Sequence, residues 1–150
     1  MESRATDDRM DTLRRFYELW NADPTGPAPL DFLAADFEWV NPSHAVEPGV
    51  RRGHDGWREA MRALDVAFED FAHEPVRHTP APNDKVLCDV IFRACGREGQ
   101  VRDERAEQHL WTFRDAQLLR LEWFHDRDAA LTAAGLSGLR GGLPPGPARG

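Results

Sequence analysis

The chain has 150 residues, 41% hydrophobic and 30% charged, which suits one globular domain built around one core. Its net charge of −7 repels phosphate backbones and argues against a nucleic-acid partner, and no apolar run approaches the roughly 20 residues of a membrane span. The polar, acidic start MESRATDDRMD carries no apolar leader, so a cytoplasmic protein with no membrane partner is expected.

In chain order, the first periodic segment is MDTLRRFYELWNADP. Leu13, Phe16, Tyr17 and Trp20 form one helical stripe, and Asp23-Pro24 stops the helix. After the loop TGPAP, Pro29 sits where a first-turn proline belongs and opens a short helix, PLDFLAAD. FEWVNP alternates Phe37, Trp39 and Asn41 against Glu38 and Val40; it reads as a strand ended by Pro42, with SHAVEPGVRRG as the loop after it. The next helix, HDGWREAMRALDVAFEDF, repeats Trp57, Met61, Leu64, Phe68 and Phe71 at a spacing of three to four residues. HEPVRHT contains Pro75 and suits an edge strand, and PAPND suits a turn. KVLCDVIFRA and ERAEQHLWTF read as paired strands around CGREGQ, and LLRLEWFH as the last strand. DRDAALTAAG is a short helix with Asp126 as N-cap and Gly135 at its end. The glycine- and proline-rich SGLRGGLPPGPARG is expected to be disordered or peripheral.

The order is therefore α-α-β-α-β-β-β-β with a short C-terminal helix. Strands segregate from helices, which predicts an α+β fold with an antiparallel sheet. Curved around the N-terminal helices, such a sheet has a concave face that makes a pocket. Cys88 and Cys95 lie seven apart in one expected strand, so they point to opposite faces and no disulfide joins them. The six histidines are scattered and no Cys-x-x-Cys or His-Glu-x-x-His pattern occurs, so neither a metal nor another cofactor is expected.

Four stretches, LRRFYELWNA, FLAADFEWVNP, VRRGHDGWREAM and HLWTFRDAQLLRLEWFHDRDAALTAAGL, resemble in that order the SnoaL-like branch of the nuclear transport factor 2-like superfamily. The resemblance runs from about residue 9 to 136, which divides the chain into a SnoaL-like domain, 1–136, and a tail, 137–150. It implies a cone-shaped α+β barrel with a hydrophobic cavity, commonly dimeric through the sheet. The superfamily includes ketosteroid isomerase, polyketide cyclases, limonene epoxide hydrolase and dehydratases. Against ketosteroid isomerase, the helix-1 tyrosine position falls on Phe16, with Tyr17 one residue away. The strand-1 base position falls on Asn41 and the late-strand aspartate position on His109. An amide cannot abstract a proton and a phenyl ring cannot donate one, so ketosteroid isomerase activity is not expected. The Asp-Arg-Asp relay of the epoxide hydrolase has no counterpart in this reading.

The segment EQHLWTFRDAQLLRLEWFHD reads as a hairpin. A three-residue loop, Arg114 to Ala116, pairs Phe113 with Gln117, His109 with Leu121 and Glu107 with Trp123. Ala116 then takes the left-handed position that glycine holds in the SnoaL-like pattern, at a cost on the order of 1 kcal/mol. Slipping the register by two residues brings His109 level with Trp123 without changing its face. Arg105, Glu107, His109, Trp111, Phe113, Leu121, Trp123 and His125 share one face, which the resemblance makes concave. Gln108, Leu110, Thr112, Arg120, Glu122 and Phe124 share the other.

The candidate catalytic group is His109, assisted by Glu107, His125 and Asn41. Histidine titrates near neutrality and can move a proton, and an asparagine can hydrogen-bond a developing oxyanion. Phe16, Tyr17, Trp20, Trp39, Val90, Phe92, Trp111, Leu121 and Trp123 are the candidate ligand-binding wall. A hydrogen-bonded core histidine and an ordinary Arg105–Glu107 ion pair are the plain alternatives. His44 and Glu47 belong to a loop that covers the opening, and His54 helps to start a helix. Two functions follow. One is acid–base catalysis without a cofactor on a small apolar carbonyl compound, of cyclase, isomerase or dehydratase type. The other is a non-catalytic ligand-binding or dimeric interaction module. Leu87, Ile91, Leu110, Thr112 and Phe124 supply apolar area on the outer face for a homodimer.

Overall fold

The computed structural model describes residues 2–42, 49–96 and 102–136. Its elements are α1 (Glu2–Ala22), a 3-10 helix (Ala28–Phe32), β1 (Leu33–Asn41), β2 (Gly49–Arg52), α2 (Gly53–Ala67), β3 (Phe68–Ala81), β4 (Lys85–Gly96), β5 (Arg102–Arg114), β6 (Gln117–Phe124) and α3 (Arg127–Ala134). The strands form one curved, unclosed sheet in the order β2-β1-β6-β5-β4-β3, an α+β architecture. Among the described residues no helix is long and apolar enough to cross a membrane. The tail 137–150 and the loop residues His44 and Glu47 lie outside the described residues.

The sheet is mixed, not wholly antiparallel as expected: β1 runs parallel to β6, while every other pair is antiparallel. A tight hairpin forces antiparallel pairing only on strands it joins directly. β6 reaches β1 after a long excursion through α2 and four strands, and no such constraint applies. The expected helix PLDFLAAD shrinks to the 3-10 turn, and its second half enters β1. Part of the expected loop before α2 is β2, which pairs with the end of β1 from Glu38 to Asn41.

The second long helix ends earlier than its apolar stripe suggests. Phe68 has extended backbone angles, and Phe68 to Phe71 belong to β3. A spacing of three ordinarily sends two strand residues to opposite faces. Here the register shifts between Phe68 and Asp70, so one extra residue is absorbed and both phenylalanines join the inner core. β6 uses the same device. Phe113 pairs with Leu118 but Thr112 pairs with Arg120, and the extra residue, Leu119, lets both Leu118 and Leu121 point inward.

The β5–β6 turn also differs from the three-residue expectation. Arg114 pairs with Gln117 across a two-residue turn, and the positive φ of 56° falls on Asp115 rather than Ala116. Aspartate tolerates that region better than alanine, so the expected strain at Ala116 does not arise. The bulge at Leu119 then sets the pairing of His109 with Trp123 and Trp111 with Leu121. The register is displaced by two residues there and the sorting of Glu107, His109, Trp111, Leu121 and Trp123 is preserved, while Leu118 takes the place expected of Gln117 opposite Phe113.

The concave side is filled by α1 and α2. Leu13, Phe16, Tyr17 and Trp20 of α1 and Trp57 and Met61 of α2 are buried against inward residues of the sheet. The last turn of α1 is pinned to β3: the Asn21 side chain accepts from the His73 backbone N–H at 2.8 Å and donates to the His73 carbonyl at 2.7 Å. On the outer face α3 makes a second, smaller core with Leu87 and Leu110, so these two residues are covered by their own chain. As expected, Asp126 caps α3 through Oδ1 and Gly135 ends it with φ 79°.

Candidate functional site

The inner face of the sheet carries a cavity of about 140 Å³. Its apolar wall is Trp39, Leu64, Phe68, Phe92, Leu121 and Trp123, and its polar residues are His73, Arg105, Glu107, His109 and His125. Strand alternation puts Glu107 and His109 on one face of β5, and the β3 register brings His73 in from the sheet edge.

A line of hydrogen bonds runs along the floor. Trp111 Nε1 donates to Tyr17 Oη at 2.9 Å, Tyr17 Oη lies 2.7 Å from His109 Nδ1, and His109 Nε2 lies 3.0 Å from Glu107 Oε1. A neutral imidazole protonated on Nε2 satisfies the whole line, because Nε2–H donates to the carboxylate and Nδ1 accepts from the phenol. The other Glu107 oxygen, Oε2, bonds to no described residue. Burial of His109 (2% exposed) and Glu107 (8% exposed) makes these bonds count, since an unmade bond there has no water to replace it.

The electrostatics follow from burial and neighbours. Desolvation pushes the Glu107 carboxyl up, but the lowering influences, led by the hydrogen bond from His109, outweigh it. The carboxyl ends below the ordinary glutamate value and is ionised at neutral pH. His73 is pushed down to about 3 by burial, with His109 adding to the effect, so its ring is neutral. Burial raises the Tyr17 phenol well above its usual value and keeps it protonated. Cys88, 2.9 Å from His78 Nδ1, is also pushed up by burial, which makes it an inert thiol.

A model of the SnoaL-like domain matches residues 13–121. The chain belongs to the SnoaL-like family. No curated protein matches it. Solved structures do. An NTF2-like protein of unknown function from Burkholderia pseudomallei superposes with a TM-score of 0.69 at 19% identity, covering 85% of this chain and 97% of that one. TerC, co-crystallised with polyporic acid, gives the same TM-score, identity and coverage. A protein from Jannaschia assigned as a SnoaL-like polyketide cyclase gives 0.63 at 16% identity, covering 85% of this chain and 92% of that one. At these identities the likeness shows the fold.

Within this SnoaL-like frame the sequence-predicted residues separate into two layers. Trp39, Phe92, Glu107, His109, Leu121, Trp123 and His125 line the cavity. Phe16, Tyr17, Trp20, Val90 and Trp111 are buried behind them and contribute no lining. Tyr17, one residue from the position that the isomerase comparison aligns with tyrosine, presents its hydroxyl to His109 from behind the cavity wall. Asn41 Oδ1 accepts from Trp39 Nε1 at 2.7 Å and from Trp123 Nε1 at 2.9 Å. That oxygen orients two wall indoles. Arg105 pairs with Asp103 at 2.6 Å and lies over the Phe92 ring, while Glu107 pairs with His109. His54 Nε2 lies 3.1 Å from the Leu33 carbonyl and ties the first turn of α2 to β1.

His73 is the residue that sequence reasoning missed. Its ring stacks on Trp20 at 4.2 Å between centroids and lies 5.4 Å from the His109 ring. Extending the β3 alternation back to Phe71 is the signal that places it inward, and the helical stripe through Phe71 hid that signal.

Proposed function

We propose that this SnoaL-like protein binds a small, apolar, carbonyl-bearing molecule about one ring in size and transfers a proton on it through the Glu107–His109 pair. The carrying observation is the buried Glu107 carboxylate, whose Oε1 is held by His109 while Oε2 is left for a ligand. A carboxylate so placed is a general base, His109 fixes its orientation, and Tyr17 fixes His109. The cavity volume supports the size: about 140 Å³ is close to the roughly 150 Å³ of an apolar cavity that holds benzene. A polycyclic substrate needs more room than these walls leave. Trp39, Trp123, Phe92 and Leu121 supply the apolar contact.

Binding without turnover is the second reading, favoured by one fact: both His109 nitrogens already have protein partners. A deuterium-exchange assay separates the two. Monocyclic enones such as 2-cyclohexenone are incubated with the protein in D2O, with binding followed by tryptophan fluorescence and exchange beside the carbonyl by NMR. Catalysis predicts accelerated exchange, lost on the order of 10²-fold or more in Glu107→Gln and His109→Ala with binding retained. His109→Gln keeps a hydrogen bond and retains binding. Binding with no exchange above the buffer rate leaves the ligand-binding reading, and no binding by any monocyclic carbonyl compound overturns both. A homodimer through the outer face belongs to the same proposal, using the area around Ile91, Thr112 and Phe124 that α3 leaves half-buried; sedimentation as a monomer at micromolar concentration would remove it.

A further inference from the structure

We infer that the floor of this cavity is a binding site for a divalent transition-metal ion of the zinc class, held by His73, Glu107 and His109. One ligand atom from each lies within 4.8 Å of the others, and all three residues are buried. The inference uses the same cavity as the proton-transfer reading but does not depend on it.

Two imidazoles and one carboxylate are a donor set suited to zinc, iron, cobalt or nickel, and unsuited to calcium or magnesium, which prefer oxygen alone. The three come from two strands, β3 and β5, so the set is fixed by the sheet and not by a loop. Ligands about 2.1 Å from an ion lie no more than about 4.2 Å apart, so small side-chain rotations close the site. The His109–Glu107 side is already at 3.0 Å.

The independent observation is His73. It is 4% exposed and lines the cavity, yet its Nδ1 has no hydrogen-bond partner. A buried polar nitrogen left unpaired is uncommon and calls for an explanation, an ion being one of those that apply. Its ring is also held ready. Trp20 stacks against one face, and Asn21 grips the His73 backbone on both sides. Ligands restrained by their surroundings lose little freedom on binding.

His109 has a matching outer shell. In the metal-free state its Nε2 proton points at Glu107. An ion between them takes the place of that proton. The ring proton moves to Nδ1, where Tyr17 Oη accepts it, and Trp111 continues to hold the phenol. The Tyr17 hydrogen then turns away from Nδ1. A ligating histidine whose other nitrogen is fixed by a polar partner is the usual arrangement at metal centres. The remaining coordination positions open into the cavity, where water or a ligand's carbonyl oxygen completes them, and an ion there polarises that carbonyl as a Lewis acid.

The test needs no organic ligand. The full chain, stripped with a chelator, is titrated with Zn²⁺ by calorimetry and with Co²⁺ by visible absorption. His73→Phe keeps the stack on Trp20 and cannot ligate; Glu107→Gln keeps the side-chain volume and removes the charge. Circular dichroism establishes that each variant is folded. The expected result is one ion per chain, a Co²⁺ spectrum with imidazole ligation, and affinity in each variant lowered beyond about 100-fold, the upper end of the cost of losing an outer-shell partner alone. No saturable binding, or binding unchanged in both variants, overturns the inference. Enone binding measured in excess chelator is the separate readout for the proposed function. Its persistence when metal binding fails leaves that function standing, and its absence when metal binding succeeds removes the function and not the ion site.

Discussion

The interior of the sheet has two ends that share elements and differ in chemistry. At one end Phe16 meets Tyr17, Trp20, Phe32, Trp57 and Trp111 at centroid distances of 5.1 to 5.9 Å, and aromatic rings fill the space. At the other end β3 and β5 carry His73, Glu107 and His109, His125 follows the end of β6, and the space is left open. The packed end gains stability from contact at near-crystalline density. The open end forgoes that packing and buries polar groups whose partners are few. A site of this kind is built by spending stability at one end of a core and recovering it at the other.

The contrast is broken most strongly at the packed end. Phe16→Ala removes the ring that five aromatic neighbours surround and should cost about 3–5 kcal/mol, read as a lowered midpoint in urea denaturation. Glu107→Gln at the open end should cost far less by the same measurement while abolishing exchange or ion binding. Equal losses from the two would mean that the cavity floor is structural core.

Acid should act on the open end. In the metal-free protein the His73 value falls from 6.5 to about 3 because burial disfavours its charged form. The unfolded chain therefore binds a proton that the folded chain refuses throughout that window. Stability is intact above about pH 6.5 and is lost as the pH falls toward 3, with a slope approaching about 1.4 kcal/mol per pH unit from this group. Denaturation midpoints measured from pH 7 to 4 test this, and His73→Phe should flatten the slope. An unchanged slope in that variant would assign the acid sensitivity elsewhere.

Asn41 joins the ends by holding the Trp39 and Trp123 indoles. Asn41→Ala leaves two part-buried N–H groups without this acceptor and should cost about 1–3 kcal/mol. Its more specific signature is a change in tryptophan emission and weaker binding of a ring-sized ligand, with the far-ultraviolet spectrum unchanged. The smallest effect belongs outside the core. Arg114 pairs with Asp36 through two hydrogen bonds at 2.6 and 3.1 Å, and Arg114 holds the Asp36 carboxyl below its usual value. Both are solvent-exposed, so Asp36→Asn should leave the thermal midpoint and ligand binding unchanged at physiological salt.

Much of this was legible in the residues. The stripe of Leu13, Phe16, Tyr17 and Trp20, the alternation along β5 and the capped α3 follow from periodicity and from the chemistry of aspartate and glycine. The inward face of Glu107, His109, Trp111 and Trp123 also survived a two-residue change of register, because side-chain facing repeats every two residues. The places where reading failed share one cause. A strand with a bulge can bury two residues three apart, as Phe68 and Phe71 do in β3 and Leu118 and Leu121 in β6, and that spacing is also helical.

The sequence by itself determined the class of fold and the shared face of Glu107, His109 and Trp111 along β5, since both depend on patterns a few residues long. Only the tertiary structure decided that β1 lies parallel to β6, that Tyr17 reaches His109 across 92 positions of chain, and that His73 comes within 5.4 Å of His109. Those contacts join segments far apart in the chain. No local propensity encodes their distance, and it is set by where the bulges bend the sheet and how α1 and α2 pack against it.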